Sequence, residues 1–231
     1  MPITALDSTG NSLLQDAEGN HCSSFPTVLL QVMWKAAQLS RTEQYPERGV
    51  EHSSYSATQL RLLLHTTQSF DPLAWATDLQ PRSPTPDLAH RTHVAHAHRE
   101  AVCIYLARLI LSRYVDTQLA LSVAAWVSEA IAHMACIRQS DALFTATTWP
   151  AFIAGAETSS PQEQAWIAQR FSELWEIEPW GTISGALDVL RGIWSDKRQS
   201  AAFVGQLGNT FTFNNDWIGK LRQTGVDWLI I

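Results

Sequence analysis

Apolar side chains recur three and four positions apart along most of the chain, and sustained alternation is nearly absent, so the pattern predicts helices almost throughout. Phe25, Val28, Leu29, Val32, Ala36 and Leu39 make one stripe and predict a first helix. After a polar break around Tyr45 to His52, Leu60, Leu63, Leu64 and Thr67 predict a second. Asp71-Pro72 is a start signal, because an Asp side chain caps exposed amides and Pro is tolerated in the first turn; a short helix over Leu73 to Leu79 follows from it. Pro81, Pro84 and Pro86 make Gln80 to Asp87 a stiff connector. Leu88 to Val115 then forms one long helix, apolar at Val102, Tyr105, Leu106, Leu109 and Ile110. Leu119, Val123, Trp126, Ala130 and Met134 continue the stripe on its partner, and these two helices are the central core candidates.

Ser160-Pro161-Gln162-Glu163 has the form of a capping box: the Ser hydroxyl satisfies an orphan amide, Pro occupies the first helical position, and Glu reaches back. Ile167, Phe171 and Leu174 face one way along that helix, and after the break at Trp180-Gly181 the next carries Ile183, Leu187, Leu190 and Trp194. Phe211 and Phe213 alternate with Thr210 and Thr212, a brief extended stretch too isolated to build a sheet. A last helix, about Asn215 to Thr224, closes at Gly225-Val226 in a Schellman turn, and the apolar tail to Ile231 is expected to dock in the core. Residues 1–24 are small and polar with no apolar face, a flexible lead-in to a single helical domain over 25–231. The expected fold is therefore all-α, one multi-helix domain with a long central helix and no significant sheet.

Composition narrows the function classes. Of 231 residues 45% are hydrophobic and 16% charged, and the formal charge of −6 leaves little capacity to neutralise a run of phosphates. No uncharged apolar run is long enough for a membrane span. Three cysteines, Cys22, Cys103 and Cys136, are too few and too scattered for a disulfide framework or a four-thiolate metal site, and they read as reduced, mostly buried thiols. Cys103 and Cys136 sit on apolar stretches, where a thiol acts as a small hydrophobe.

Four imidazoles, His90, His93, His96 and His98, crowd the start of the long helix. The first three are spaced by three and drift around a helix by about 60° per step, so a single metal is held by two at most; His98 points elsewhere, and a solvated or capping cluster is the simpler expectation. No nucleophile elbow, paired carboxylate or phosphate-cradling glycine loop is present, and no cofactor is implied. Ten tryptophans, eight of them after residue 100, supply large buried area, and several aromatics converging on a helical domain can also wall an apolar cavity.

One segment, Thr147-Thr148-Trp149-Pro150-Ala151-Phe152-Ile153-Ala154-Gly155-Ala156-Glu157, resembles the conserved tryptophan-proline segment of the fungal-specific transcription factor domain, the regulatory region that follows the zinc binuclear cluster in a large group of fungal regulators. His93 to Leu111 is similar to the family's long central helix, and Phe70-Asp71-Pro72-Leu73-Ala74-Trp75-Ala76 to the turn before it. Trp180 to Trp194, Asp216-Trp217-Ile218 and Gly225 to Ile231 resemble the family's later helices in the expected order, so the likeness spans about residues 22 to 231. Within the family it is nearest the arginine-metabolism and acriflavine-sensitivity regulators.

The resemblance implies a nuclear, non-enzymatic effector domain that contacts the transcription machinery or another regulator subunit, or pairs as a homodimer. The family's six-cysteine DNA-reading module is missing from this chain, which implies no direct specific DNA binding; a fragment of a longer regulator and a short natural protein both fit. Sterol-responsive relatives hold a hydrophobic ligand, so Trp126, Trp149, Phe152, Gly155 and Glu157 are candidate contacts for an apolar small molecule. The same residues have an anchoring role to offer: Pro150 fits a first turn, Trp149 and Phe152 anchor it, and Gly155 admits a neighbouring helix. Glu157 amid apolar residues then needs a buried donor, a Trp ring nitrogen or an Arg. A stand-alone binding module for an apolar metabolite is the alternative function.

Overall fold

Aspartate and serine caps set the starts of four helices. In a computed structural model, which describes residues 18–20, 24–44, 52–207 and 216–224, the chain forms α1 (Thr27–Gln44), α2 (His52–Gln68), α3 (Pro72–Leu79), α4 (Leu88–Leu111), α5 (Thr117–Ala135), α6 (Thr148–Glu157), α7 (Pro161–Ile177), α8 (Gly181–Leu207) and α9 (Trp217–Thr224). A 3-10 turn at Phe144–Thr147 feeds α6. No strand occurs among the described residues, and the fold is all-α. The extended stretch at 209–214, the turn at Gly225, the apolar tail and Cys22 lie outside the described residues.

Asp71 takes the amides of Leu73 and Ala74 at 3.0 and 3.1 Å, as its place before Pro72 predicts. Asp87 and Asp116 do the same for α4 and α5, and Asp116 also pairs with Arg61 of α2 at 2.9 Å. The cap of α7 departs from the expected box. Ser160 Oγ accepts from the Glu163 amide at 3.4 Å, but the Glu163 carboxylate passes over the Ser160 amide and accepts from Thr158 Oγ1 and from Ser128 Oγ of α5. The Ser160 amide donates instead to Thr158 Oγ1 at 3.0 Å, so a hydroxyl relays the box and frees the carboxylate to tie α7 to α5.

The axis is α4, whose 24 residues span about 36 Å. It is buried almost all round from Val94 to Ile110, as befits a helix enclosed by others. Helices α1, α2, α3, α5 and α6 pack on it, and α7 and α8 reach it through α6. It ends at Leu111 rather than Val115: Ser112 and Tyr114 close the last turn on Arg108 and Ile110, and Val115 stands exposed before the Asp116 cap.

Two stripes differ from the sequence expectation at one position each. Phe25 lies before α1, so the buried face runs through Leu29, Val32, Met33 and Ala36 and leaves Val28 exposed. In α5 the buried line is Leu119, Val123, Val127, Ala130 and Met134, which puts Trp126 on its half-buried edge. Cys136 follows the end of α5 and is exposed, whereas Cys103 on α4 is buried, its thiol pushed well up by desolvation.

The proline-rich connector is built around a cation. Arg91, fully buried at the start of α4, donates to the Ser83 carbonyl, to Ser83 Oγ at 3.2 Å and to Gln80 Oε1 at 3.4 Å. Gln80 in turn pairs both ways with the Thr85 backbone, at 2.8 and 3.2 Å. Upstream, Glu18 accepts from the first amide of α1 and from the Trp75 indole at 2.7 and 3.1 Å, and Ser83 Oγ donates to Gly19.

Two substitutions check which positions carry the core. Leu106→Ala, at a fully buried position of α4, is expected to cost about 2–5 kcal/mol in urea unfolding. Val115→Ser, in the exposed link, is expected to change stability by less than about 0.5 kcal/mol. Equal effects would show that the core lies elsewhere.

Candidate functional site

The tryptophan-proline segment is the helix α6, and it touches more of the fold than its ten residues suggest. Every residue from Pro150 to Glu157 is buried, and α4, α5, α7 and α8 all pack against it. Phe152 meets Trp217 of α9 edge-on, 6.2 Å between ring centres. Gly155 lies where two helices converge: a Cβ there would sit 3.0 Å from Ile167 of α7 and 3.1 Å from Leu190 of α8. Its lack of a side chain is what lets those helices close on α6.

Glu157 ends the helix with its carboxylate enclosed, the side chain 1% exposed. Arg108 of α4 grips both oxygens through Nε and a terminal nitrogen, a two-pronged charge-assisted pair. The Trp217 indole of α9 donates to the same carboxylate at 2.6 Å. Of the two donor types expected for this position, Trp ring nitrogen or Arg, the structure supplies both.

The backbone at the same helix end is satisfied from α8. Trp194 Nε1 donates to the Gly155 carbonyl at 2.8 Å. Lys197 Nζ reaches the carbonyls of Ala156, Glu157 and Thr158 at 2.7, 2.6 and 3.2 Å. An ammonium is well placed at the negative end of a helix and on carbonyls that have no intrahelical partner. Burial pushes the Lys197 ammonium down to about 8, with Glu157 pulling the other way and Arg108 adding to the fall. Sequence periodicity places Trp194 in the core; Lys197 has no sequence signal except that four carbonyls at a buried helix end need donors.

Trp149 and Trp126 stand apart from this hub. Trp149 is half-buried at the head of α6, with the fully enclosed His98 ring nearly parallel to it at 6.3 Å and Phe25 at 5.4 Å. Ser24, in the left-handed region at φ 39°, turns the chain so that Phe25 packs 4.2 Å from His98. The Trp149 indole nitrogen is buried without an acceptor. Trp126, on α5, packs half-buried against the core.

The histidine cluster is organised by a residue outside it. His133 of α5 approaches His93 at 2.9 Å between Nδ1 atoms, and His96 stacks on the His133 ring at 4.2 Å, 8° from parallel. The cluster is therefore an interhelical seam rather than the solvated or capping group its spacing suggests; only His90, between Asp87 and Asp141, sits by a cap. Parallel rings cannot aim their lone pairs at one centre, and among the described residues no set of three metal-ligating side chains is arranged to hold an ion. Burial lowers His93, and holds His96, His98 and His133 down at about 4, with neighbouring imidazoles and Arg99 adding to the effect for His96 and His133.

The sequence model of the fungal specific transcription factor domain matches residues 8–231. The chain belongs to this family. It is also similar to the acriflavine sensitivity control protein acr-2 of Neurospora crassa, with 29% identity over 226 residues, which cover 95% of this chain and 36% of that protein. The chain thus spans about a third of the length of the curated relative it matches. No solved structure matches it. The family is one of domains found in fungal transcription factors. Among the described residues of this fungal transcription factor domain, no helix is long and apolar enough to cross a membrane.

For the fungal domain's Glu157 hub, Glu157→Ala strands the Arg108 guanidinium and the Trp217 indole, and the expected loss is about 3–5 kcal/mol. Trp217→Phe keeps the ring and removes one donor, for about 1 kcal/mol. The double variant should lose less than the sum in urea unfolding; strict additivity would mean that the two groups do not interact.

The histidines predict acid sensitivity. Their folded affinity for protons lies below that of the unfolded chain, so the unfolded state binds more protons between about pH 6.5 and 4. Their stabilisation is complete above that window and is lost as pH falls through it. Melting temperature should drop steeply from pH 7 to 4.5, and less so in His96→Asn/His133→Asn; parallel curves for the two proteins would disprove the assignment.

Proposed function

We propose that this chain is the regulatory domain of a fungal transcription regulator, acting in the nucleus through contacts with the transcription machinery or another regulator subunit, or as a homodimer, and not by catalysis. The observation that carries this reading is the family match over nearly the whole chain. Two features support it. The buried titratable groups are engaged in holding helices together, Glu157 and Lys197 at the end of α6 and Arg91 in the connector. The charge of −6 opposes close approach to DNA phosphates, so specific DNA binding by this chain alone is not part of the reading.

A second reading, the sensing of an apolar small molecule, is favoured by one observation. The Trp149 indole N–H is enclosed without an acceptor, beside Phe25 and His98, and a ligand with one acceptor on an apolar body would satisfy it. On this reading Trp149 is the ligand-facing member of the candidate set. Phe152, Gly155 and Glu157 are taken up by packing and pairing with Trp217, Leu190 and Arg108 at the other end of α6.

The regulatory reading is tested by fusing residues 1–231 to a heterologous DNA-binding module in a fungal reporter strain. Reporter output several-fold above or below the module alone is expected. Output equal to the module alone counts against it.

A further inference from the structure

Three of the ten prolines follow a hydroxyl: Ser83-Pro84, Thr85-Pro86 and Ser160-Pro161. A Ser or Thr before Pro is the sequence that proline-directed protein kinases accept, but the three hydroxyls stand in different settings. Ser160 is spent as the cap of α7, and Thr85 is buried with its backbone held by Gln80. Ser83 is half-buried in the connector between exposed Arg82 and exposed Pro84, and its hydroxyl donates to the Gly19 carbonyl at 3.0 Å.

Beside that hydroxyl lies a buried cation without a counter-ion. Arg91 is fully enclosed, and each acceptor it reaches among the described residues is neutral: the Ser83 carbonyl, Ser83 Oγ at 3.2 Å and Gln80 Oε1 at 3.4 Å. Its Nε is buried with no acceptor at all. Burial holds the guanidinium below its ordinary value, and no acidic neighbour pulls it back. Asp87, one turn earlier in the chain, is occupied by the amides of Ala89 and His90 and by the His90 ring. Arg108 and Arg170, by contrast, each have a carboxylate. A buried charge with no opposite charge is costly, so an anion placed at Ser83 would meet a guanidinium whose desolvation has already been incurred.

We propose that Ser83 is a phosphorylation site whose phosphate is received by Arg91. A proline-directed kinase transfers the γ-phosphoryl group of ATP: Ser83 Oγ forms a bond to phosphorus, the bond from phosphorus to the oxygen that leaves with ADP breaks, and the hydroxyl proton passes to a carboxylate of the kinase. Access requires the α3–α4 junction to open, because the Ser83 amide is bonded to the Leu79 carbonyl at 2.9 Å. Arg91 then closes on the product with the two-pronged geometry that arginine offers to phosphate.

The modification exchanges one tie for another. Oγ has no proton left for the Gly19 carbonyl, and a Cβ on Gly19 would sit 3.8 Å from that of Ser83, so the phosphate takes space that Gly19 now fills. It also competes for Arg82, which pairs with Glu18 at 3.8 Å, and repels the Glu18 carboxylate from the Thr27 amide and the Trp75 indole. The connector is thereby bound more firmly to α4, and residues 18–20 are released from it. The site goes beyond the regulatory reading and does not depend on it.

Three measurements on the full chain test it. The parent and Ser83→Ala are incubated with a purified proline-directed kinase and ATP, and phosphate is mapped by tandem mass spectrometry. Phosphate on Ser83 of the parent is expected; an unmodified parent, or phosphate on Thr85 or Ser160 in place of Ser83, overturns the site. Next, the phosphorus resonance of the product is followed with pH. A free phosphoserine takes up its second proton at about pH 6, and pairing with Arg91 should lower this by about one unit or more in the folded chain, with return to the free value in urea. Arg82→Gln, at an exposed position, should keep most of the fall. Equal values in folded and unfolded chains, or a fall that vanishes with Arg82→Gln, would overturn Arg91 as the receiver. Last, the Thr27 amide should lose about ten-fold or more of its protection from hydrogen exchange on phosphorylation. Unchanged protection would show that Glu18 stays in place and would overturn the release of residues 18–20.

Discussion

A buried carboxylate at the end of a short helix holds this domain together. Glu157 sits where α4, α6, α8 and α9 converge, and each of the other three helices contributes a donor to it or to the carbonyls beside it. The arrangement follows from two costs incurred together. A helix that ends in the interior leaves carbonyls without partners, and a carboxylate taken out of water must be paired on several sides. Arg108, Trp217, Trp194 and Lys197 meet both at once. Gly155 makes the convergence sterically feasible, two residues before the charge that makes it worthwhile.

Much of this was legible in the sequence, where the signal is local. The Asp71 cap, the Pro161 helix start and the stripe through Leu119, Val123, Ala130 and Met134 depend on neighbours within one or two turns, and they stand where the pattern puts them. The type of partner for Glu157 was legible too, because a buried carboxylate accepts from few kinds of side chain. Its identity was not: Arg108 and Trp217 lie 49 and 60 residues away and are brought in by packing. The histidine seam is illegible for the same reason, since its third ring, His133, lies 40 residues from His93. Trp126 shows the limit of periodicity. Two lines of residues on α5 fit a helical stripe equally well, and contact with α4 and α6 selects Val127 for the interior.

Arg170 shows a second use of arginine in the interior, as a planar connector that also pairs with Glu173 at 3.7 Å. Arg170 lies over the Phe144 ring at 4.3 Å and the Trp166 ring at 4.9 Å while donating to the Met134 carbonyl at the end of α5. Guanidinium can stack and donate in one plane at modest desolvation cost, and lysine cannot stand in for it. The domain thereby joins aromatic surfaces and helix ends without adding buried carboxylates.

The connector around Arg91 has a consequence in time. Its prolines restrict the backbone, yet its polar groups are satisfied by a side chain from the helix that follows it in the chain. During synthesis the segment therefore emerges before the group that organises it. It acquires its final shape only when α4 has wound far enough to present Arg91. In the finished protein the dependence runs backward: fraying of the first turns of α4 releases the connector and, through Ser83, the hold on Gly19. The α3–α4 junction is thus expected to open as one cooperative unit in hydrogen exchange, with the connector unable to loosen alone.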